Sequence, residues 1–479
     1  MKKILLASAE AVPFAKTGGL ADVVGTLPQA FDREEFDVRV IMPKYKAIDE
    51  KYKNKMEYIK HIYIDLGWRS KYCGVFKLEH EGCLFYFIDN EFYFGGDKLY
   101  SYIHEDIEKF AFFSKAVLSI LPHIDFRPDI LHLNDWHTGL VPVMLDAQFR
   151  DKPFYQGIKT IMTIHNLKFQ GIWGLEETKD ATGLDGHYFT ADKLEYKGDA
   201  NLLKGGLVYA DHITTVSDTY AKEIQTPAYG EGLEGLLLAR RDSLTGIVNG
   251  ISYSDYNPAN DDSIFAKYNR RDFPSRKRLN KTQLQGLLGL EKNPDTFLIG
   301  IVSRLTKQKG LDLIAFNMDR LLSQDVQLVV LGTGEPDFEN MFRYYAGLYP
   351  KKVSANILFS NDLAHKIYAA ADAYLMPSLF EPCGLSQLIS MRYGTVPIVR
   401  ETGGLVDTVI PYNKYTGQGT GFSFRNYNGD ELWSAISYAM EIHQDRRVWN
   451  RIIRQGMAKD FSWQEAAKKY ANLYSKLIV

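Results

Sequence analysis

The residues able to do chemistry fall in short clusters, each directly after an apolar run. Arg304 and Lys309 stand five apart in SRLTKQKG, a spacing that suits two cations gripping one diphosphate. The pairs Gly18-Gly19 and Gly403-Gly404 would let the backbone approach a ligand closely, leaving helix-opening N–H groups free for phosphate oxygens. His132, Asp135 and His137 could be taken for a metal cluster, but no further strong ligand stands nearby, and pocket lining is the simpler reading. No Asp-x-Asp occurs, so the carboxylate pair that holds a divalent ion in many sugar-nucleotide enzymes is missing. A bound diphosphate would have to be neutralised by protein cations and N–H dipoles. GTGEPD keeps Gly332 and Gly334 but has Asp337 at the third glycine position, and no GxxxxGK[ST] occurs. Both facts argue against a nicotinamide dehydrogenase and a P-loop ATPase.

Something must hold these clusters in place, and the hydropathy pattern says what. Short apolar runs alternate with helical periodicity, the signature of an α/β protein with parallel sheets. Strands are predicted at 3–8, 37–42, 84–89, 129–133, 160–164, 212–216 and 246–248, and then, past a break, at 297–302, 326–331, 355–359, 373–376 and 396–399. The break, 252–280, carries prolines and the basic residues Lys267, Arg270, Arg271, Arg276, Lys277 and Arg278, with Lys281 directly after it. It reads as a linker and a solvated, charged helix face. A repeat supports two similar halves: TGGLADVV (17–24) and TGGLVDTV (402–409) agree at six of eight positions, which suggests a shared helix-opening role. Ser462 to Ile478 has a Ser N-cap and helical spacing. In parallel sheets, ligands bind beyond the carboxyl ends of the strands, where nearly every cluster lies; the two edges are expected to face one cleft.

Composition bounds the partners. The chain has 479 residues, with 57 basic and 59 acidic side chains, for a net charge of −2. No global positive field recruits nucleic acid or an anionic membrane. Three cysteines without a CxxC pair suit a reducing compartment. The opening MKKILLASAE imitates a signal peptide, but Glu10 interrupts its apolar run, and no run of about 18 apolar residues follows. A cytoplasmic protein is expected.

Taken together the motifs resemble the glycogen and starch synthases, the ADP-glucose-using branch of the GT-B glycosyltransferases. They are KTGGL (16–20), NDWHT (134–138), TIHN (163–166), VNGI (248–251), SRLTKQKG (303–310), GTGE (332–335), EPCGLSQ (381–387) and TGGLVDTV (402–409), in family order over nearly the whole chain. The resemblance implies two Rossmann-like domains, 1–252 and 253–460, with the C-terminal helix (461–479) returning to the first. It also implies transfer of glucose from ADP-glucose to the non-reducing 4-hydroxyl of an α-1,4-glucan, with retention and without a cofactor or metal. Arg304 and Lys309 would grip the diphosphate, aided by Thr402, Gly403 and Gly404. Glu381, with Cys383, Gly384 and Leu385, would hold the glucose hydroxyls, and His165 would sit beside the reacting sugar. Asn249, Asp22 and Gly332 would line the donor pocket, closed over by Lys16, Gly18 and Gly19.

One departure from the wider GT-B pattern bears on mechanism. Many retaining members carry a second Glu eight residues after the first; here that position is Ile389. This branch lacks it too, and its loss removes one candidate for a paired-carboxylate mechanism. Same-face attack is favoured, with a covalent glycosyl-enzyme as the alternative. The chain is also 13% aromatic. Most rings are expected in the core. Those of FYFIDNEFYF (85–94), including Tyr93, and Trp136 are expected against acceptor glucose rings, with Asp135 and His137 beside them. Three rivals stay open: a carbohydrate-binding protein without turnover, a UDP-glucose-using enzyme, and a phosphorylase relative using pyridoxal phosphate.

Overall fold

The structure, a computed structural model, describes residues 1–478. The chain separates into two compact units, Met1–Gly250 with the segment from Trp463 onward, and Ile251–Ser462.

The first unit holds β1 (Lys2–Ala7), β2 (Phe36–Pro43), β3 (Glu57–Leu66), β4 (Arg69–His80), β5 (Cys83–Asp89), β6 (Ile130–Asn134) and β7 (Lys159–Ile164). The short strands β8 (Ile172–Gly174), β9 (Glu195–Tyr196) and β10 (Asp199–Asn201) form a separate sheet, and β11 (His212–Thr215) and β12 (Leu244–Gly246) complete the main one. The main order is β12-β11-β7-β6-β1-β2-β5-β4-β3. It is parallel through β5, and β4 and β3 add an antiparallel hairpin. That hairpin was not anticipated: its exposed lysines and half-buried rings blur the alternation that marks a strand. The chain runs outward from β1 in one direction and resumes beside it at β6. The loops after these two strands therefore flank a topological switch point.

The second unit holds β13 (Phe297–Val302), β14 (Val326–Leu331), β15 (Val353–Asn356), β16 (Ala373–Met376), β17 (Val396–Arg400) and β18 (Phe422–Phe424), ordered β15-β14-β13-β16-β17-β18 and parallel throughout. Both faces are covered, so its strands read as continuous apolar runs; Ile299, Leu328, Val330 and Ile398 are fully buried. Its switch point lies between β13 and β16.

The C-terminal helix, Trp463–Leu477, packs in the first unit. Tyr474 stacks on Phe31 with ring centroids 5.6 Å apart and meets His132 Nδ1 at 2.7 Å. Among the described residues no helix is long and apolar enough to cross a membrane.

The basic segment before β13 departs from expectation. Helix Phe273–Leu287 turns Lys277 and Lys281 inward rather than to solvent. Lys277 Nζ donates to Ala369 O at 2.9 Å, Tyr393 O at 3.1 Å and Thr395 Oγ1 at 2.8 Å, and Lys281 Nζ pairs with Asp372 at 2.5 Å. Buried cations persist where each N–H finds an acceptor. Even so, burial pushes the Lys277 amine down to about 7.

Candidate active site

In the second unit the carboxyl ends of β13, β14, β16 and β17 bring four loops together. Lys309 Nζ lies 2.7 Å from Glu381 Oε2, which also accepts from Ser378 Oγ at 3.0 Å. The Arg304 guanidinium is exposed and has no hydrogen-bond or ion-pair partner among the described residues. Thr306 Oγ1, two residues on, is buried without a partner.

The lysine turn is held from two sides. Glu335 Oε1 accepts from Lys307 N at 3.1 Å, and Leu379 N donates to Gln308 O at 2.9 Å. Gly332 permits the first clamp, since a Cβ there would stand 1.8 Å from Ser303 O. The Cys383-Gly384-Leu385 turn is fixed by Gln387, whose Nε2 donates to Cys383 O at 3.0 Å and Gly384 O at 2.9 Å.

The glycines of the second repeat act differently from expectation. Gly404 N donates to Glu381 O at 3.1 Å and Pro382 O at 3.2 Å, so this amide is not free for phosphate. Gly403 has φ +46, and a Cβ there would lie 1.9 Å from Glu381 O. The pair is glycine because two backbones touch, with Thr402, fully buried, at the N-cap position of the short helix. Gly18 is the contrast: a Cβ there meets nothing within 4 Å. The helix of the first repeat opens at the second glycine, Gly19, whereas that of the second opens at the first, Gly403.

In the first unit, Lys16 Nζ pairs with Asp22 Oδ1 at 2.7 Å. At the end of β7, His165 is half-buried, and Nε2 lies 2.9 Å from Asn134 Oδ1. Asn134 Nδ2 donates to Ala7 O at 3.1 Å, which sets the amide orientation. Nε2 therefore carries the imidazole proton, leaving Nδ1 as an acceptor. Burial pushes this imidazole down to about 3, so it is neutral. Asn249, after β12, is buried with Oδ1 unpartnered.

Asp135 is buried and holds the backbone of His165. It sits at φ +56, a strained conformation for a residue with a Cβ, and its Oδ1 accepts from His165 N at 2.7 Å. Burial pushes its carboxyl up to about 7, despite backbone donors at His165 and Asn166.

The aromatic expectations need correction. Trp136 and His137 are buried, 4.2 Å apart by ring centroids, and Gly171 approaches so closely that a Cβ would stand 2.3 Å from Trp136 Cε3. Tyr93 is buried with its hydroxyl on Glu108 at 2.6 Å. Neither ring offers solvent a stacking face, because both fill space around the helix Ile103–Ile120; of residues 85–94, Phe92 is strongly exposed. His132 also leaves the expected polar lining: its Nδ1 holds Tyr474 and its Nε2 meets Thr163 Oγ1 at 2.6 Å.

Sequence reasoning missed Glu10 as a site residue. This buried carboxylate, which interrupts the first apolar run, holds the KTGGL loop through Thr17 N at 2.5 Å, Thr17 Oγ1 at 2.6 Å and Gly18 N at 3.3 Å. The interruption itself was the signal. It also means that the amides of Thr17 and Gly18 are already engaged.

Residues 3–239 match the family model of the starch synthase catalytic domain, and residues 289–456 that of glycosyl transferases group 1. The chain is 63% identical over 478 residues to a glycogen synthase of Lachnospira eligens, covering 100% of both chains. It is 52% identical to a glycogen synthase of Caldicellulosiruptor saccharolyticus, covering 99% of each. Among solved structures, the catalytic domain of starch synthase IV from Arabidopsis thaliana, bound to ADP and acarbose, superposes with a TM-score of 0.92 at 31% identity, covering 100% of this chain and 99% of that one. With two parallel Rossmann-like sheets of the GT-B kind and matches of this length, the chain belongs to the glycogen and starch synthase family of glycosyltransferases.

Proposed function

We propose that this chain transfers glucose from ADP-glucose to the non-reducing 4-hydroxyl of an α-1,4-glucan, with retention at the anomeric carbon and no metal. Residues 253–460 take the nucleotide sugar, and residues 1–252 with the C-terminal helix take the acceptor. The observation that carries the reading is the Lys309–Glu381 pair at the sheet edge, beside a loop bearing the unpartnered Arg304 guanidinium. A protein that bound only neutral sugars would have no use for two cations there.

On this reading the diphosphate draws Lys309 from Glu381, and Arg304 joins it. The two cations stabilise the negative charge that grows on the leaving ADP. Glu381, released from Lys309, accepts hydrogen bonds from the glucose hydroxyls, and the unpartnered Asn249 Oδ1 and His165 Nδ1 take others. The bond from the anomeric carbon to the diphosphate oxygen breaks, and the bond to the acceptor 4-oxygen forms on the same face. The acceptor proton passes to the departing phosphate. The three cysteines are buried free thiols, and the protein works in the cytoplasm on this reading.

The test is direct. Purified protein is incubated with a maltooligosaccharide and either ADP-glucose or UDP-glucose, and nucleotide release and chain length are followed together. Chain growth with ADP-glucose, carrying new α-1,4 linkages by proton NMR, is the expected result. Growth only with UDP-glucose would overturn the donor assignment, and no growth with either would leave a glucan-binding protein.

A further inference from the structure

We propose that Glu10 is a positioning residue for the transfer reaction, a buried joint fixing the donor-side KTGGL loop and the His137–Trp136 stack in one geometry. The inference rests on the donor reading above for its kinetic consequence, though not for its structural one.

The loop Lys16–Gly19 is exposed and has little packing of its own. It is pinned at two points beneath. Phe14 is the apolar anchor, edge-on to Phe85 at 4.9 Å and Phe87 at 5.0 Å. Glu10 is the polar one. Its backbone is held by Ser8, whose Oγ donates to Glu10 O at 2.7 Å and accepts from Glu10 N at 3.1 Å. Its carboxylate gathers four donors: Thr17 N and Gly18 N on one oxygen, Thr17 Oγ1 and the Tyr100 hydroxyl (2.5 Å) on the other. Two loop amides thus depend on a charge that must be present and correctly turned.

The fourth donor extends the joint. The Tyr100 ring stacks on His137 with centroids 4.9 Å apart and planes 26° apart, and His137 packs on Trp136. Tyr100 stands outside the run of β-strands, so without the hydroxyl–carboxylate bond its ring has no polar tie to the loop. One side chain therefore links the loop carrying Lys16 to the residues after β6, including Asp135, whose carboxylate orients His165. A buried carboxylate is costly unless its lone pairs are met, and here four donors occupy them.

Glu10→Gln replaces one acceptor oxygen with a donor facing donors, without changing side-chain size. Tyr100→Phe removes the link to the stack and leaves the loop contacts alone. Amide hydrogen exchange reads positioning without needing activity. Glu10→Gln should speed exchange at Thr17 and Gly18 more than at the amides of the main sheet; unchanged protection at those two amides would overturn the proposal, whatever the activity. Steady-state kinetics reads the consequence. Glu10→Gln should lower kcat/KM for ADP-glucose by roughly ten- to hundredfold, the scale of a misplaced binding group, with Glu10→Asp intermediate. Tyr100→Phe should lower kcat/KM for ADP-glucose about threefold or more, through the stack beside Asp135 and His165, a shift on the scale of one hydrogen bond. Kinetics identical to wild type in both variants would overturn the proposal while leaving the donor assignment standing. A wild type inactive with ADP-glucose would instead sink the donor assignment, with the exchange result still deciding the role of Glu10.

Discussion

Lys309 and Glu381, 72 residues apart in sequence, meet at 2.7 Å with both side chains almost withdrawn from solvent. Each protects the other from being an isolated charge in a partly dry site, where an unpaired one would be costly. On the proposed function, an anionic ligand entering the site would supply a replacement partner for Lys309 and free Glu381 for neutral hydroxyls, the pair holding the place of substrate until then.

That exchange makes Lys309→Ala the most informative substitution. Turnover should fall on the order of a hundred- to a thousandfold, as for loss of a charge that meets the transition state. Glucan binding, measured by affinity electrophoresis, should hardly change. Turnover equal to wild type would refute the clamp.

The glycines separate ligand approach from backbone packing. Gly403→Ala puts a Cβ 1.9 Å from Glu381 O at positive φ, so the unfolding free energy from urea titration should drop by about 1–3 kcal/mol or more. Gly18→Ala meets open space at an extended backbone and should leave stability within about 0.5 kcal/mol. Equal effects from both would contradict the packing account.

Stability should respond to pH in two opposed ways. Burial holds His132, His137 and His165 down at about 3, below the ordinary 6.5. Between those values the unfolded chain binds more protons, so these residues add stability above 6.5 that is lost as pH falls toward 3. Asp135 is raised from 3.8 to about 7, so its contribution is complete below 3.8 and is lost as pH rises through 7. Asp135→Asn keeps an oxygen for His165 N and removes the buried charge. Denaturation curves should show the variant gaining on wild type at pH 8 relative to pH 4.5. A difference independent of pH would rule out the raised carboxyl.

The C-terminal helix offers a local test. Neutral His132 shares one hydrogen bond with the Tyr474 hydroxyl at Nδ1 and another with Thr163 Oγ1 at Nε2. Tyr474→Phe strands the buried His132 Nδ1, and the unfolding free energy from urea titration should fall by about 1–3 kcal/mol. An unchanged midpoint would mean that ring packing alone docks the helix.

Transfer should persist in a chelator, because the cations proposed to meet the diphosphate belong to the chain. Loss of activity in EDTA, restored by magnesium, would overturn the metal-free mechanism.

Much of this protein was legible in order along the chain. Apolar runs separated by helical periods required parallel βα units, and parallel strands put the segments after them on one edge. KTGGL, TIHN, SRLTKQKG, EPCG and TGGL each follow an apolar run, so periodicity alone puts them beyond strand ends. That inference rests on local periodicity and chain direction, both of which the sequence carries. What the folded chain decided are contacts between segments far apart: Lys309 on Glu381, Glu10 beneath Thr17 with Tyr100 behind it, and Gly404 against the 381–382 carbonyls. It also decided that Trp136, Tyr93 and Lys277 lie inside. Residue type cannot settle such matters, since a ring or an ammonium is inside or outside according to what packs over it and which acceptors surround it. Those neighbours exist only once distant loops have closed.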